Sequence, residues 1–285
     1  MRWPTLLRRP PDFADGPTAA RWFAAIADRL LNRTALVVAG VPHRLTEVEV
    51  YYHGPGHEDP FAHRDPVQVH PGRWYFHRSA GVYRGGSFKG LDLAFGGGTA
   101  YAGVLFRGLV AADGHRVDGP SLLVDRLLML TGHRTVAELD RTIGERLGWD
   151  ESAPVTLADD APRRTEVLRT ARVGLALRRF RPRPADPAMR FLFRRYRHLT
   201  DPRQTAKGKP HMALALHAAG EPVEAIVART GAPPSAARRY VGWYEEGRAE
   251  ADPAAYYGRQ WTVVEFCRLH GLADRLTGLG VRDRV

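Results

Sequence analysis

The stretch from Arg44 to Tyr52, RLTEVEVYY, alternates with a period of two residues and is rich in β-branched and aromatic side chains. A run of this kind reads as a strand paired in a sheet. With ALVVAG (35–40) just before it and a short Gly-Val-Pro turn between, two strands are expected, at 35–40 and 43–52. The alternation puts Glu47, Glu49 and Tyr51 on one face of the second strand. Paired carboxylates on the buried face of an ordinary sheet would be costly. That face is therefore either solvated or a functional site.

The neighbouring segments give the strands something to pack on. Ala19 to Asn32 has helical periodicity, with Trp22, Phe23, Ile26, Leu30 and Leu31 in one stripe. GRWYFHRS and VYRGG suggest a hairpin, and GLDLAFG and YAGVLFRGLVA suggest further strands. GPSLLVDRLLMLTG predicts a helix with Pro120 in its first turn, and HRTVAELDRTIGERLG predicts a second. ARVGLAL and MRFLFRRYR are expected as strands. The polar DPRQTAKGKP (201–210) reads as a linker. After it, MALALHAAG, EPVEAIVARTG and PPSAARRYVGWYEEG predict three short helices, the last two joined by a tight glycine turn in a helix-turn-helix pattern. A final helix is expected over roughly Trp261 to His270.

The expected fold class is α+β: a mixed fold around a curved antiparallel sheet over residues 1–200, followed by a small all-α helix-turn-helix-like module at 201–285. A single cysteine, Cys267, excludes an intramolecular disulfide and is expected as a buried small apolar side chain. No run reaches the ~18 apolar residues of a membrane helix. These features suit a cytoplasmic, nucleoid-associated protein with no membrane partner.

Net charge is +11, and arginine supplies nearly all of it, since only Lys89, Lys207 and Lys209 are lysines. Its placement matters more than its total. Between Ala161 and Thr200 there are twelve arginines against two acids, Glu166 and Asp186. Interleaved Phe180, Phe191, Phe193 and Tyr196 complete the footprint of a protein that meets a phosphate backbone. Arg172, Arg178, Arg179, Arg181 and Arg183 in this segment are candidate DNA contacts. So are Arg238 and Arg239 in the third helix of the C-terminal module.

Seven short motifs in fixed order carry a resemblance: TEVEVY (46–51), AH (62–63), GRWYFH (72–77), VLFRGL (104–109), GPSLL (119–123), ARVG (171–174) and MRF (189–191). From about Phe23 to about Tyr196 the chain resembles the alkyladenine (3-methyladenine) DNA glycosylases of the mammalian type. The resemblance implies base excision repair: a damaged base is flipped out of double-stranded DNA into a pocket and its N-glycosidic bond is hydrolysed, with no cofactor and no metal. It implies Glu49 as the general base that activates water. It places Tyr51, His63 and His77 as pocket residues against the flipped base, and Arg107 beside the site. The chemistry is coherent in itself. Cleavage of an N-glycosidic bond passes through a sugar cation, which a carboxylate both stabilises and serves by taking a proton from water. Aromatic and imidazole faces suit an unstacked base.

The chain departs from the family in three places. The family's longer Arg- and Asn-containing stretch between the pocket histidine and the G-x-x-Y strand shrinks here to RDPVQVHPGRW. The hairpin that bears the family's wedge tyrosine is longer here, RSAGVYRGGSFKG; a gap-free alignment leaves Ala80 at the wedge, with Tyr83 and Phe88 as the alternatives. The family's pocket asparagine appears as Asp92, whose carboxylate offers only acceptors and would suit an exocyclic amine. Lys89, three residues before it, is expected to contact a phosphate. The histidines at 53, 57, 63, 70 and 77 lie in a Gly/Pro-broken stretch without the helical spacing of a metal site. The reading is a monofunctional DNA glycosylase; the rival is a non-catalytic nucleic-acid-binding protein that keeps the fold.

Overall fold

The computed structural model describes residues 2–10, 13, 16–182 and 186–278. Helices and one large antiparallel sheet make a mixed α+β protein with helices at the C-terminal end of the chain. The chain divides into two compact units. The first holds residues up to Glu58, Ala62–Val167 and His198–Thr200; the second holds Asp59–Phe61, Leu168–Arg197 and the chain from Asp201 onward. The division is thus drawn differently from the expected split at residue 200. Much of the arginine-rich segment packs with the C-terminal helices.

The first unit is built on α1 (Pro17–Asn32), β1 (Thr34–Val38), β2 (Val41–Gly54), β3 (Trp74–Phe76), β4 (Arg78–Ser79), β5 (Val82–Tyr83), β6 (Leu91–Ala94), β7 (Tyr101–Ala111), α2 (Pro120–Thr131), α3 (Val136–Ile143) and β8 (Val155–Asp159). The sheet runs β8-β1-β2-β7-β6-β3, antiparallel throughout. One face of β2 presents Val48, Val50 and Tyr52. The apolar stripe of α1, Trp22, Phe23, Ile26 and Leu30, is buried with them. Truncating an aromatic such as Phe23 in a core of this density costs about 3–5 kcal/mol. The opposite face carries the polar residues.

Two irregularities in the β2–β7 pairing decide what that polar face can do. Leu45 pairs with Leu109, Glu47 with Gly108 and Val48 with Phe106, so Thr46 and Arg107 each stand outside the regular register. Arg107 thereby reaches Glu47 and Glu49 on the neighbouring strand. Gly108 is required at the bulge, because a Cβ there would lie 2.7 Å from Thr46 Oγ1.

The predicted hairpin is present as β4 and β5, with Arg78 opposite Tyr83 and Ser79 opposite Val82. Its two central residues, Ala80 and Gly81, both have positive φ (49° and 79°), the signature of a tight primed turn. The helix predicted over 133–148 is shorter, 136–143. It opens on a Thr135/Glu138 capping box and stops at Gly144 with φ +62°.

The second unit contains α4 (Pro187–Leu192), α5 (Lys209–Ala218), α6 (Val223–Thr230), α7 (Pro234–Arg248) and α8 (Val263–Thr277). The strand expected at ARVGLAL does not form, and the one expected at MRFLFRRYR starts only at its last residue, in the short strand Arg197–Leu199. Residues 171–177 are irregular, and Met189–Leu192 belong to α4. Asp186 caps α4 through the Ala188 amide, and Pro187 stands at its first position, signals that outweigh the β-like apolar pattern. A core of Leu177, Met189, Leu192, Phe193, Leu269 and Leu272 holds this unit together.

Candidate active site

Glu49 is fully buried on the polar face of β2, with 0 % of its surface exposed. It is held from two sides. The Tyr51 hydroxyl donates to Glu49 Oε2 at 2.8 Å, and Arg107 Nε lies 3.3 Å from Glu49 Oε1. The same Nε donates to Glu47 Oε1 at 2.5 Å. Burial alone would lower the Arg107 pKa; the carboxylates of Glu49 and Glu47 override it and raise it. One guanidinium thus lies between the two carboxylates. The polar face is therefore not the solvated face of an ordinary sheet. Its carboxylates are buried against a counter-charge.

The sheet register carries the face across to a second cluster. Glu49 and Asp92 both pair with Leu105, one from each side, and Asp92 also pairs with Tyr75. At about 4.8 Å per strand the two carboxylate-bearing residues stand about 10 Å apart along the row. Asp92 Oδ1 accepts from His77 Nε2 at 2.7 Å, and Asp92 Oδ2 accepts from Gln68 Nε2 at 3.3 Å. Gln68 cannot turn away, since its Oε1 accepts from the Asp65 amide in the capping box of the 3-10 turn Pro66–Val69. Two glycines make room: a Cβ on Gly103 would sit 2.4 Å from Asp92 Oδ2, and one on Gly90 would sit 2.5 Å from His77 Nδ1.

His63 completes this cluster. Its ring is 4.3 Å from that of His77, edge to face, and its Nδ1 is 3.2 Å from the Tyr75 hydroxyl. Burial, then the neighbouring His77, push the His63 pKa down to about 4, against the pull of Asp92. His63 is therefore neutral at pH 7. The Tyr75 hydroxyl, which also accepts from the Arg78 amide at 3.4 Å, fixes the orientation of the His63 ring through Nδ1.

The residues expected to form a pocket are brought onto one sheet face and its flanking loop. Both oxygens of Asp92 accept from side chains of the protein, so Asp92 also positions His77. Tyr75, Gln68 and Glu47 join the site. Tyr75 was legible in principle, since it alternates in phase with His77 in GRWYFH; Gln68 carried no local signal.

Several expected DNA contacts are corrected. Tyr83 is not a projecting wedge: its hydroxyl donates to Asp140 Oδ2 at 2.6 Å, and Arg78 binds both residues and lies over the Tyr83 ring. Within residues 78–90 the exposed large apolar side chains are Val82 on the hairpin, at 71 %, and Phe88, at 73 %. Lys89 is tied to the Gly86 carbonyl and to Asp125 at 3.1 Å. Arg172 is buried. It meets Asp59 Oδ2 at 2.5 Å and the Phe191 carbonyl at 3.2 Å, with Phe61 and Tyr196 against its guanidinium. Arg178, Arg179, Arg181, Arg238 and Arg239 are exposed, and Arg183 lies outside the described residues. His57 is packed in the core against Phe13, Phe23 and Tyr52. Among the described residues, no three His, Cys, Asp or Glu side chains converge on a point that could hold a metal ion, and no helix is long and apolar enough to cross a membrane.

No family model matches the chain. It is similar to the uncharacterized protein L759 of Acanthamoeba polyphaga mimivirus, 33 % identical over 146 residues that take in 46 % of this chain and 67 % of that protein. At that identity and coverage the chain belongs to the same family as the mimivirus protein.

Proposed function

We propose that this protein is a DNA glycosylase that hydrolyses the N-glycosidic bond of a flipped, modified base, with Glu49 as general base. The observation that carries the reading is the Glu47–Arg107–Glu49 cluster with Tyr51 on one strand face, in register with Asp92, His77 and His63. As the bond to the base breaks, positive charge develops on the sugar. A carboxylate such as Glu49, held on a buried strand face, favours that charge, and in a site shielded from water it acts with little screening. Glu49 takes the proton from the water that attacks the sugar carbon, while the electron pair of the broken bond leaves with the base.

Within this reading His63 and His77 bind the base. Neutral His63 presents its ring beside His77, which Asp92 holds in place. A site built around hydrogen bonds discriminates between bases by the donors and acceptors they carry. Val82 and Phe88 are the apolar side chains suited to occupy the gap that a flipped base leaves. Arg178, Arg179 and Arg181 supply sequence-independent attraction to phosphates. The substrate class is a duplex carrying an alkylated or bulky modified base.

One observation favours the rival, a non-catalytic nucleic-acid binder: Glu49 has no exposed surface, and a general base must meet water. Base release from alkylated duplex DNA by the wild type and by Glu49→Gln separates the two. Release by the wild type and its loss in the variant supports the enzyme; binding without release by the wild type supports the rival.

A further inference from the structure

The glycosylase reading makes no use of the second unit's helices. Three of them, α5, α6 and α7, pack pairwise on one another around buried Met212, Leu216, Ile226, Ala236 and Ala237. The connection between α6 and α7 is only Gly231-Ala232-Pro233. That is the length of a helix-turn-helix connection.

This turn is built to be rigid. Gly231 has φ +67°, and a Cβ there would lie 3.2 Å from the Arg203 carbonyl. Thr230 Oγ1 donates to the Ile226 carbonyl and accepts from the Ala232 amide. Lys209 Nζ and Arg203 donate to the last carbonyls of α6, at Thr230 and Ala228. The side chains that anchor the turn are charged, and they are spent on backbone oxygens. Their work is to hold α7 at a set angle of entry.

The outer surface of α7 then has a distinct chemistry. Ala236, Ala237 and Tyr244 face inward. Ser235, Arg238, Arg239 and Gly242 are all exposed and recur at the i, i+3, i+4, i+7 spacing, so they form one stripe on the opposite side. From Gly231 to Tyr244 there is no acid. The acids of α7, Glu245 and Glu246, lie at its far end and pair with His217 at 2.7 Å and Arg268 at 2.6 Å. The stripe is thus basic in the middle and slim at both ends, where Ser235 and Gly242 add almost no width.

We propose that α7 is a recognition helix that enters the major groove of undamaged duplex DNA and reads a short sequence there through Arg238 and Arg239. The major groove, about 12 Å wide, admits a helix of about 10–12 Å diameter when its outer side chains are small. An arginine reaches guanine O6 and N7 through two hydrogen bonds, and an arginine on a phosphate adds affinity without selectivity. A-form RNA is excluded as the partner by its deep, narrow major groove. The inference is independent of the glycosylase reading. The protein would be delivered to, or retained on, preferred stretches of DNA by a surface that takes no part in excision.

The test is selection from a random library of undamaged duplexes by the full-length protein, with affinities measured by fluorescence anisotropy at fixed salt. The wild type is expected to enrich a short guanine-containing motif. Arg238→Ala with Arg239→Ala is expected to lose the enrichment and to bind the selected duplex at least tenfold more weakly. Gly242→Glu is a second probe, because an added Cβ there meets nothing within 4 Å. It should abolish motif binding through charge repulsion without lowering the melting temperature. No enrichment by the wild type, wild-type binding by both variants, or tighter binding to a structured RNA hairpin would each overturn the proposal. Enrichment without base release from alkylated DNA keeps this inference and removes the glycosylase reading; release without enrichment does the reverse.

Discussion

The Tyr51 hydroxyl donates to Glu49 Oε2 at 2.8 Å, from two residues away on the same strand face. The contact aligns the carboxylate on the strand face. Replacing Glu49 with glutamine keeps the shape and an acceptor for Tyr51 but removes the base. Base release should fall by ~10²–10⁴-fold. Affinity for the damaged duplex should stay within about threefold, because a side chain without exposed surface contributes little to phosphate binding. Single-turnover release and anisotropy on one oligonucleotide check both halves; wild-type release by the variant would remove Glu49 from the mechanism.

Arg107 is the counter-charge of two buried carboxylates. Its replacement by methionine keeps the bulk and removes the guanidinium that both acids share. Breaking a buried pair in this way costs about 3–5 kcal/mol. Urea unfolding should show a lowered midpoint with an unchanged slope. Adding Glu47→Gln to Arg107→Met should recover part of the loss, since one of the two acids that lost the guanidinium is then neutral.

Asp92 is needed as an acceptor on both oxygens. Asp92→Asn can keep the His77 bond, but its amide must then face the Gln68 amide, whose orientation is set by Asp65. A donor facing a donor costs about 1–3 kcal/mol. The variant should be less stable by that amount, and Asp92→Asn combined with Gln68→Glu should restore stability. The ratio of guanine to adenine release should respond more to His77→Gln than to Asp92→Asn, because in the proposed site His77 meets the base, and Asp92 holds His77.

The depressed pKa of His63 ties stability to acid. In the unfolded chain it takes a proton near pH 6.5; in the fold it stays neutral down to about pH 4. Between those values the unfolded state binds more protons, so stability rises with pH and is lost as pH falls from about 6.5 towards 4. The share due to His63 is on the order of 3 kcal/mol, at roughly 1.4 kcal/mol per unit. His63→Gln should flatten the dependence of stability on pH across that window by this share. Urea midpoints at pH 7, 5.5 and 4 measure it.

Arg178, Arg179 and Arg181 are exposed, as phosphate contacts must be. Their replacement by alanine should weaken binding to every duplex alike. Each lost contact should reduce the slope of log affinity against log salt by about 0.9. A triple variant with an unchanged slope would assign these side chains to solvent.

Local patterns in the sequence determined the elements. The alternation in RLTEVEVYY set β2 and the face shared by Glu47, Glu49 and Tyr51. The stripe in residues 19–32 set α1, and the glycine turn at 231 set the α6–α7 pair. Each of these depends on neighbours within a few residues, where period and turn chemistry act. Tertiary structure decided which charges remain available. Arg172 reads as one more arginine in a basic run, but it is buried on Asp59, 113 positions away. Tyr83 looked free to act as a wedge until Asp140 held it across 57 residues. Asp92 is bound by His77 and by Gln68, the latter 24 positions away. A side chain's charge is written in the sequence. Whether that charge meets solvent or a buried partner depends on contacts between distant segments, and no local period encodes those.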